Sequence, residues 1–210
     1  MSKPSYSELY VDEAQYNLGH AFDFAINSCG IEADRFMTLF VVSGLAAQIE
    51  KGNPKYVCGM SGCELVRRIA STVGYRLPDI EDVMYADRSE EFWAGWALAY
   101  YQWQSGRSFR KIQEVMPASK IIVLYNPLHE ADISKFVSVV DKKFSDTDTR
   151  LAQMRRLRAY SQRILALRSG VNIRQIQLFE QRKRDIRKAQ ADTVQALAEA
   201  LDCTMEELLA

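Results

Sequence analysis

Histidine and cysteine are scarce in this chain of 210 residues, with two of the first and four of the second. His20 and His129 stand in no metal-ligand or triad spacing, and "HEAD" at 129–132 reads better as a helix start. Glycine-rich phosphate loops are missing as well. "SGRSF" and "KGNPKY" have neither the spacing nor the following Lys-Ser/Thr that such a loop needs to cradle phosphates. No catalytic residue, no cofactor and no enzyme activity are therefore expected. Cys29, Cys58, Cys63 and Cys203 form no disulfide framework, and Cys58 and Cys63 have no second Cys or His pair nearby to complete a metal site. They read as buried free thiols. The longest uncharged apolar run, "FMTLFVVSGLAAQI" at 36–49, is shorter than the roughly 20 residues a bilayer span requires. "MSKPSYSELYVDEAQ" lacks the basic start and apolar stretch of a secretory signal. The expectation is a cytoplasmic protein with no membrane partner.

Convincing period-two alternation is also absent, so the predicted fold class is all-α. What the chain does have is 48% hydrophobic residues, enough for a substantial core, and an uneven charge distribution. From Thr149 onward there are 12 Lys/Arg against 7 Asp/Glu, and before it 15 against 20, so a net charge of about +5 follows one of about −5. A basic end of this kind points to an anionic partner.

Apolar residues at helical spacing predict a helix from Asp12 to Ser28, and a second over about 32–50 that "KGNP" stops. Ser61 and Glu64 stand in capping-box spacing before a third, which Gly74 closes. Ser89 and the glutamates after it suit the start of another, on which Trp93, Trp96, Tyr100 and Trp103 fall on one stripe. That stripe is read as core, with a share left for a partner or ligand surface. Pro117 and Pro127 divide the next stretch of chain into helices at about 108–115, 118–125 and 129–143. The polar stretch "SDTDTR" at 145–150 marks a boundary between a helical domain at 1–145, for dimerisation or for partner or ligand binding, and a second domain at 149–210.

Five short helices are predicted in the second domain. Leu151, Met154 and Leu157 give the first an apolar stripe, with Arg150, Arg155, Arg156 and Arg158 outside it. Ser161 caps "QRILALRS", Gly170 ends it, and Asn172 caps the next, a helix-turn-helix arrangement around Gly170 and Val171. The stretch "SQRILALRSGVNIRQIQLFEQRKR", with "TVQALAEALDCTMEELL" after it, resembles the Xre-type, phage-repressor and Cro-like helix-turn-helix family over roughly the last 60 residues. Ser161 and Gln162 open the second helix, Leu165 and Ala166 take buried positions, and Ile176, Phe179 and Glu180 match the packing and acidic positions of the recognition helix. Thr193, "LAEAL" at 197–201 and "ELL" at 207–209 match the closing helices, with Thr204 and Glu207 in capping-box spacing. The family has glycine near Arg182 and often at Asp202, so the chain's own residues there predict a recognition helix that runs longer or ends in another conformation.

The resemblance implies a DNA-binding head whose recognition helix, at about 172–181, enters the major groove. Arg174 is the leading candidate for base readout, since a guanidinium can donate two hydrogen bonds to guanine. Ile173 suits a thymine methyl, Asn172 caps the helix at the groove, and Gln175 and Gln177 are further base or phosphate contacts. Gln162 resembles the family's phosphate-contacting position, and Arg163, Arg182, Lys183 and Arg184 add backbone charge. The expected function is a sequence-specific transcriptional regulator, a repressor binding double-stranded DNA as a homodimer. The alternative is the antitoxin of a toxin–antitoxin pair, whose N-terminal domain neutralises a toxin while the head represses the operon. A third possibility is an N-terminal domain that receives a small-molecule effector.

Overall fold

The computed structural model of the protein describes residues 5–82 and 88–209, and every regular element among them is a helix. Residues 1–4, part of the stretch read for a secretory signal, lie outside the described residues. Ten helices come first: α1 (Val11–Asp23), α2 (Ala33–Val42), α3 (Leu45–Glu50), α4 (Pro54–Val57), α5 (Gly62–Val73), α6 (Glu90–Ser105), α7 (Phe109–Val115), α8 (Ala118–Val123), α9 (Tyr125–Leu128) and α10 (Ile133–Thr147). Five more complete the chain: α11 (Arg150–Leu157), α12 (Gln162–Ser169), α13 (Ile173–Glu180), α14 (Ala191–Leu201) and α15 (Met205–Leu209). No helix of the described residues is long and apolar enough to cross a membrane. The chain forms two compact units, Met1–Asp141 and Lys142–Ala210. Their division falls inside α10, ahead of the polar stretch read as a boundary, whose residues 145–147 are helical.

In the first unit α1 lies against α6, and small residues set how close they come. A Cβ on Gly95 would stand 2.5 Å from the Leu18 carbonyl oxygen, and one on Gly19 would stand 2.9 Å from Phe92. Around this pair the wholly buried rings of Phe22, Phe36, Phe40 and Phe109 succeed one another at centroid distances of 5.3, 6.5 and 5.0 Å. Each such ring contributes about 1.5–3 kcal/mol by leaving water. Polar ends are tied down. The Asp23 carboxylate, 3% exposed, accepts from the Asn27 amide at 2.8 Å and from the Ser89 hydroxyl at 2.5 Å, which links the end of α1 to the cap of α6.

Local signals place several helix ends. Ser61 and Glu64 make both bonds of a capping box, Ser89 accepts from the Phe92 N–H at 3.0 Å, and Gly74 and Gly106 close α5 and α6 with left-handed backbones. Other expectations need correction. The helix expected over 32–50 is two helices, because Gly44 turns left-handed at φ +79° and the Ser43 hydroxyl bonds the Phe40 carbonyl at the break. The first helix ends in a π-helical turn at Phe24–Ser28. Residues 125–143 hold α9 and a later α10, whose first turn is capped by Asp132. Of the aromatic stripe only Trp93 is buried. Trp96, Tyr100 and Trp103 are half-buried, because the deeply buried face of α6 runs through Ala94, Ala97, Leu98 and Tyr101 instead. Among the cysteines only Cys63 is buried, and Cys29, Cys58 and Cys203 are half-buried.

The second unit packs α11–α15 around a small core that includes Leu151, Leu165, Ile176, Phe179, Leu197 and Leu201. Thr149, Ser161 and Asn172 each accept a backbone N–H at the start of α11, α12 and α13. Thr204 and Glu207 make a reciprocal capping box ahead of α15. Three helices close with the same pair of backbone bonds: Tyr160 N–H to Arg155 and Ala159 N–H to Arg156, Lys183 to Leu178 and Arg182 to Phe179, Cys203 to Ala198 and Asp202 to Glu199. That double bond needs a left-handed residue between helix and exit. Ala159, Arg182 and Asp202 supply it at φ +55°, +55° and +51°. The expectation for Arg182 is thus corrected. The helix before it stops at Glu180, and the arginine takes up the conformation that glycine would.

The expected stripe on α11 is also corrected. Leu157 is 78% exposed, whereas Arg155, expected outside the stripe, is 9% exposed. A guanidinium goes inside only when a counter-charge awaits it, and Glu180 provides that charge.

Candidate nucleic-acid interface

Glu180, on the last turn of α13, is where three elements meet. Its carboxylate accepts Arg155 Nε at 2.6 Å and Nη2 at 2.8 Å, a two-pronged contact in which both side chains are almost wholly covered. The same guanidinium donates through Nη1 to the Tyr160 carbonyl at 2.7 Å. Gln162, at the start of α12, donates its amide to Glu180 Oε2 at 2.7 Å. Planar forks of this kind are directional. They hold α11, the start of α12 and the end of α13 in one arrangement.

From that anchor α13 runs back to the turn at Gly170–Asn172. Val171 and Ile176 point into the core, and Asn172, Ile173 and Arg174 are exposed at the opposite end of the helix from Glu180. Asn172 Oδ1 accepts the Arg174 N–H at 2.8 Å, so its oxygen is committed to the cap. Arg174 and Gln177, three residues apart, look the same way from the helix. Gln177 and Gln175 are half-buried, and Gln175 lies toward the flank. Arg182, Lys183 and Arg184 do not extend the helix. They stand exposed in the turn after it. Arg163 is exposed on the first turn of α12, beside a half-buried Gln162 whose amide already serves Glu180.

Eight basic side chains of this unit fall into two sets. Arg155, Arg156 and Arg158 are spent inside the unit, on Glu180, Asp148 and Asp202 respectively. Arg158 also donates to the Leu201 and Asp202 carbonyls at 2.9 and 2.8 Å, closing the end of α14. Arg163, Arg174, Arg182, Lys183 and Arg184 make no ion pair among the described residues. Sequence reasoning read Arg155 and Arg158 as surface charges, since the acids that take them lie 25 and 44 residues further along. It read Arg150 only as lying outside the apolar stripe of α11, and it passed over Arg187. With Arg182 and Arg184 these two line a polar recess of about 690 Å³ that contains Asp148 and Asp185 as well.

No group of three or more His, Cys, Asp or Glu side chains is placed to share a metal ion among the described residues. The exposed end of α13 offers hydrogen-bond donors, one apolar side chain and uncompensated positive charge. An extended anion with polar edges is the chemical complement of such a surface. Comparison with known proteins finds no matching family model, no matching curated protein and no matching solved structure.

Proposed function

We propose that the second unit is an Xre-type helix-turn-helix head and that the protein is a sequence-specific DNA-binding transcriptional regulator, a repressor that reads the major groove with α13. The observation that carries this reading is the division of the basic side chains. Arg155, Arg156 and Arg158 are paired internally, whereas Arg163, Arg174, Arg182, Lys183 and Arg184 make no ion pair among the described residues. Five unpaired cations, Arg174 at the exposed start of α13, Arg163 on α12 and Arg182–Arg184 in the turn after α13, are the kind of charge that a polyanion neutralises. Left-handed backbone at Arg182 and Asp202, where the family carries glycine, supports the same reading.

In this reading Arg174 donates to a guanine edge, Ile173 touches a thymine methyl, and Gln177 adds a base or phosphate contact. Gln162 is first a strut for Glu180, and only its remaining amide hydrogen faces phosphate. Arg163 and the Arg182–Arg184 turn hold the backbone on either side. The protein works as a two-fold dimer on half-sites one helical turn apart, and it binds without catalysing.

The test is a titration of labelled DNA from upstream of the gene, against scrambled DNA and at several salt concentrations. Arg174→Ala is expected to lose about 1–3 kcal/mol of preference for the cognate sequence. Lys183→Ala is expected to weaken both DNAs alike and to reduce the salt slope by about 1. Equal, weak binding of both DNAs by wild type and Arg174→Ala at every promoter tried would overturn the reading.

A further inference from the structure

Between the first half of α6 and the corner made by α9 and the start of α10, the first unit encloses a cavity of about 260 Å³. Phe92, Trp93 and Trp96 wall one side, and Tyr125, His129 and Phe136 wall the other. The rings hold one another. Trp93 stands edge-on to Tyr125 and to Phe136 at centroid distances of 5.9 and 5.6 Å, and His129 stacks on Tyr125 at 4.3 Å with 16° between the planes. His129 Nδ1 lies 3.0 Å from the Tyr125 carbonyl, which ties the imidazole to the wall. Rings locked edge-to-face lose little freedom when a guest ring enters.

One formally charged side chain lines this cavity among the described residues. It is Arg88, exposed, with its guanidinium 5.3 Å from the Phe92 ring centroid and in no ion pair among the described residues. Glu130 stands outside the lining, 3.7 Å from His129 and 88% exposed, where water screens it. An aromatic wall alone would accept a cation as well as a neutral ring. Here the Phe92 face is already taken by a guanidinium, so a second cation is repelled and an anion is drawn in. The volume falls just below the usual range for drug-sized ligands, which limits the guest to about one substituted ring.

We propose that this cavity binds a small aromatic carboxylate, with its ring among Trp93, Trp96 and Tyr125 and its carboxylate on the Arg88 guanidinium. The site lies wholly within the first unit and does not rest on the DNA-binding reading.

Calorimetric titration of the full chain with benzoate and indole-3-acetate, set beside benzamide and benzylamine, tests it. A separate titration followed by quenching of tryptophan fluorescence reads benzoate and benzamide, whose rings do not emit with indole. At least one carboxylate is expected to saturate with a Kd below about 1 mM, and the amide and the amine to bind roughly tenfold more weakly or worse. Arg88→Gln should bring the carboxylate down to the level of benzamide and leave benzamide unchanged. Ala131→Leu, which fills the cavity from the α9–α10 side, should abolish binding of both. Circular dichroism melts of each variant report whether the fold survives. Absence of saturable carboxylate binding to folded wild type overturns the proposal. So does equal binding of carboxylate and amide that Arg88→Gln leaves untouched, or preference for the amine.

Discussion

In the first unit the left-handed residues at helix ends are glycines, at Gly30, Gly44, Gly52, Gly74 and Gly106, whereas among the described residues of the second unit Ala159, Arg182 and Asp202 carry side chains in that conformation and Gly170 alone does not. An L-residue held left-handed costs roughly 1–2 kcal/mol. Three of them consume a sizeable fraction of the stability of a small domain. The second unit also buries an ion pair, Arg155 with Glu180, where the first unit buries phenylalanines. Desolvating two charges is a weak way to stabilise a fold but a strict way to fix geometry. The contrast teaches that close apolar packing sets the helix spacing of the first unit, whereas the second adds to its small apolar core a directional ion pair that fixes α11 against α13. It also teaches that lack of glycine does not prolong a helix when the two closing backbone bonds are available.

The largest effect in this comparison should come from Glu180→Ala, which strands Arg155 as a buried, uncompensated charge and is expected to cost about 3–5 kcal/mol. Replacing both partners with Arg155→Met and Glu180→Leu should cost less than Glu180→Ala alone. Urea unfolding monitored by circular dichroism measures both. All three tryptophans lie in the first unit, so their fluorescence serves as an internal control. A Glu180→Ala protein as stable as wild type would remove the distinction between the units.

Next in size is Gly95→Ala. Its methyl meets the Leu18 carbonyl at 2.5 Å, a backbone atom that cannot swing aside. An overpacking cost of about 1–3 kcal/mol or more is expected, read by a lower midpoint in the tryptophan signal. Ala159→Gly should act in the opposite direction and stabilise the second unit by about 1 kcal/mol, because no side-chain contact is lost and the left-handed strain is relieved. Asp202→Gly should gain less, since it gives up the exposed pair with Arg158, worth about 0–1 kcal/mol. If both glycine variants destabilise, the left-handed residues are not strained.

The smallest effect concerns pH and belongs to the first unit. Burial holds the His20 imidazole below its ordinary value of 6.5, with Asp23 opposing the shift and Arg88 adding to it. The folded chain therefore binds fewer protons than the unfolded chain below about pH 6.5, and stability declines as pH falls through that region while staying full above it. His20→Gln should flatten this part of the stability–pH curve. An unchanged slope would show that other groups carry it.

Chain-local chemistry made much of the fold legible in advance. Ser61 with Glu64, Ser89, Thr204 with Glu207, Asn172 and Gly170 mark helix ends because a cap is a contract between residues two to four apart, and the amino-acid order alone fulfils it. The all-α class and the exposure of Ile173 and Arg174 come from periodicity in the same way. Tertiary structure decided the rest. Arg155 goes inside and Leu157 outside because Glu180, 25 residues beyond Arg155, supplies the counter-charge. The expected second helix divides at Gly44, and the tryptophan stripe rises partly out of the core because the most deeply buried face of α6 runs through Ala94, Ala97, Leu98 and Tyr101. Which arginines are free for a ligand is likewise a tertiary matter: an ion pair forms with whichever acid the fold brings near, and the spacing along the chain does not encode that distance.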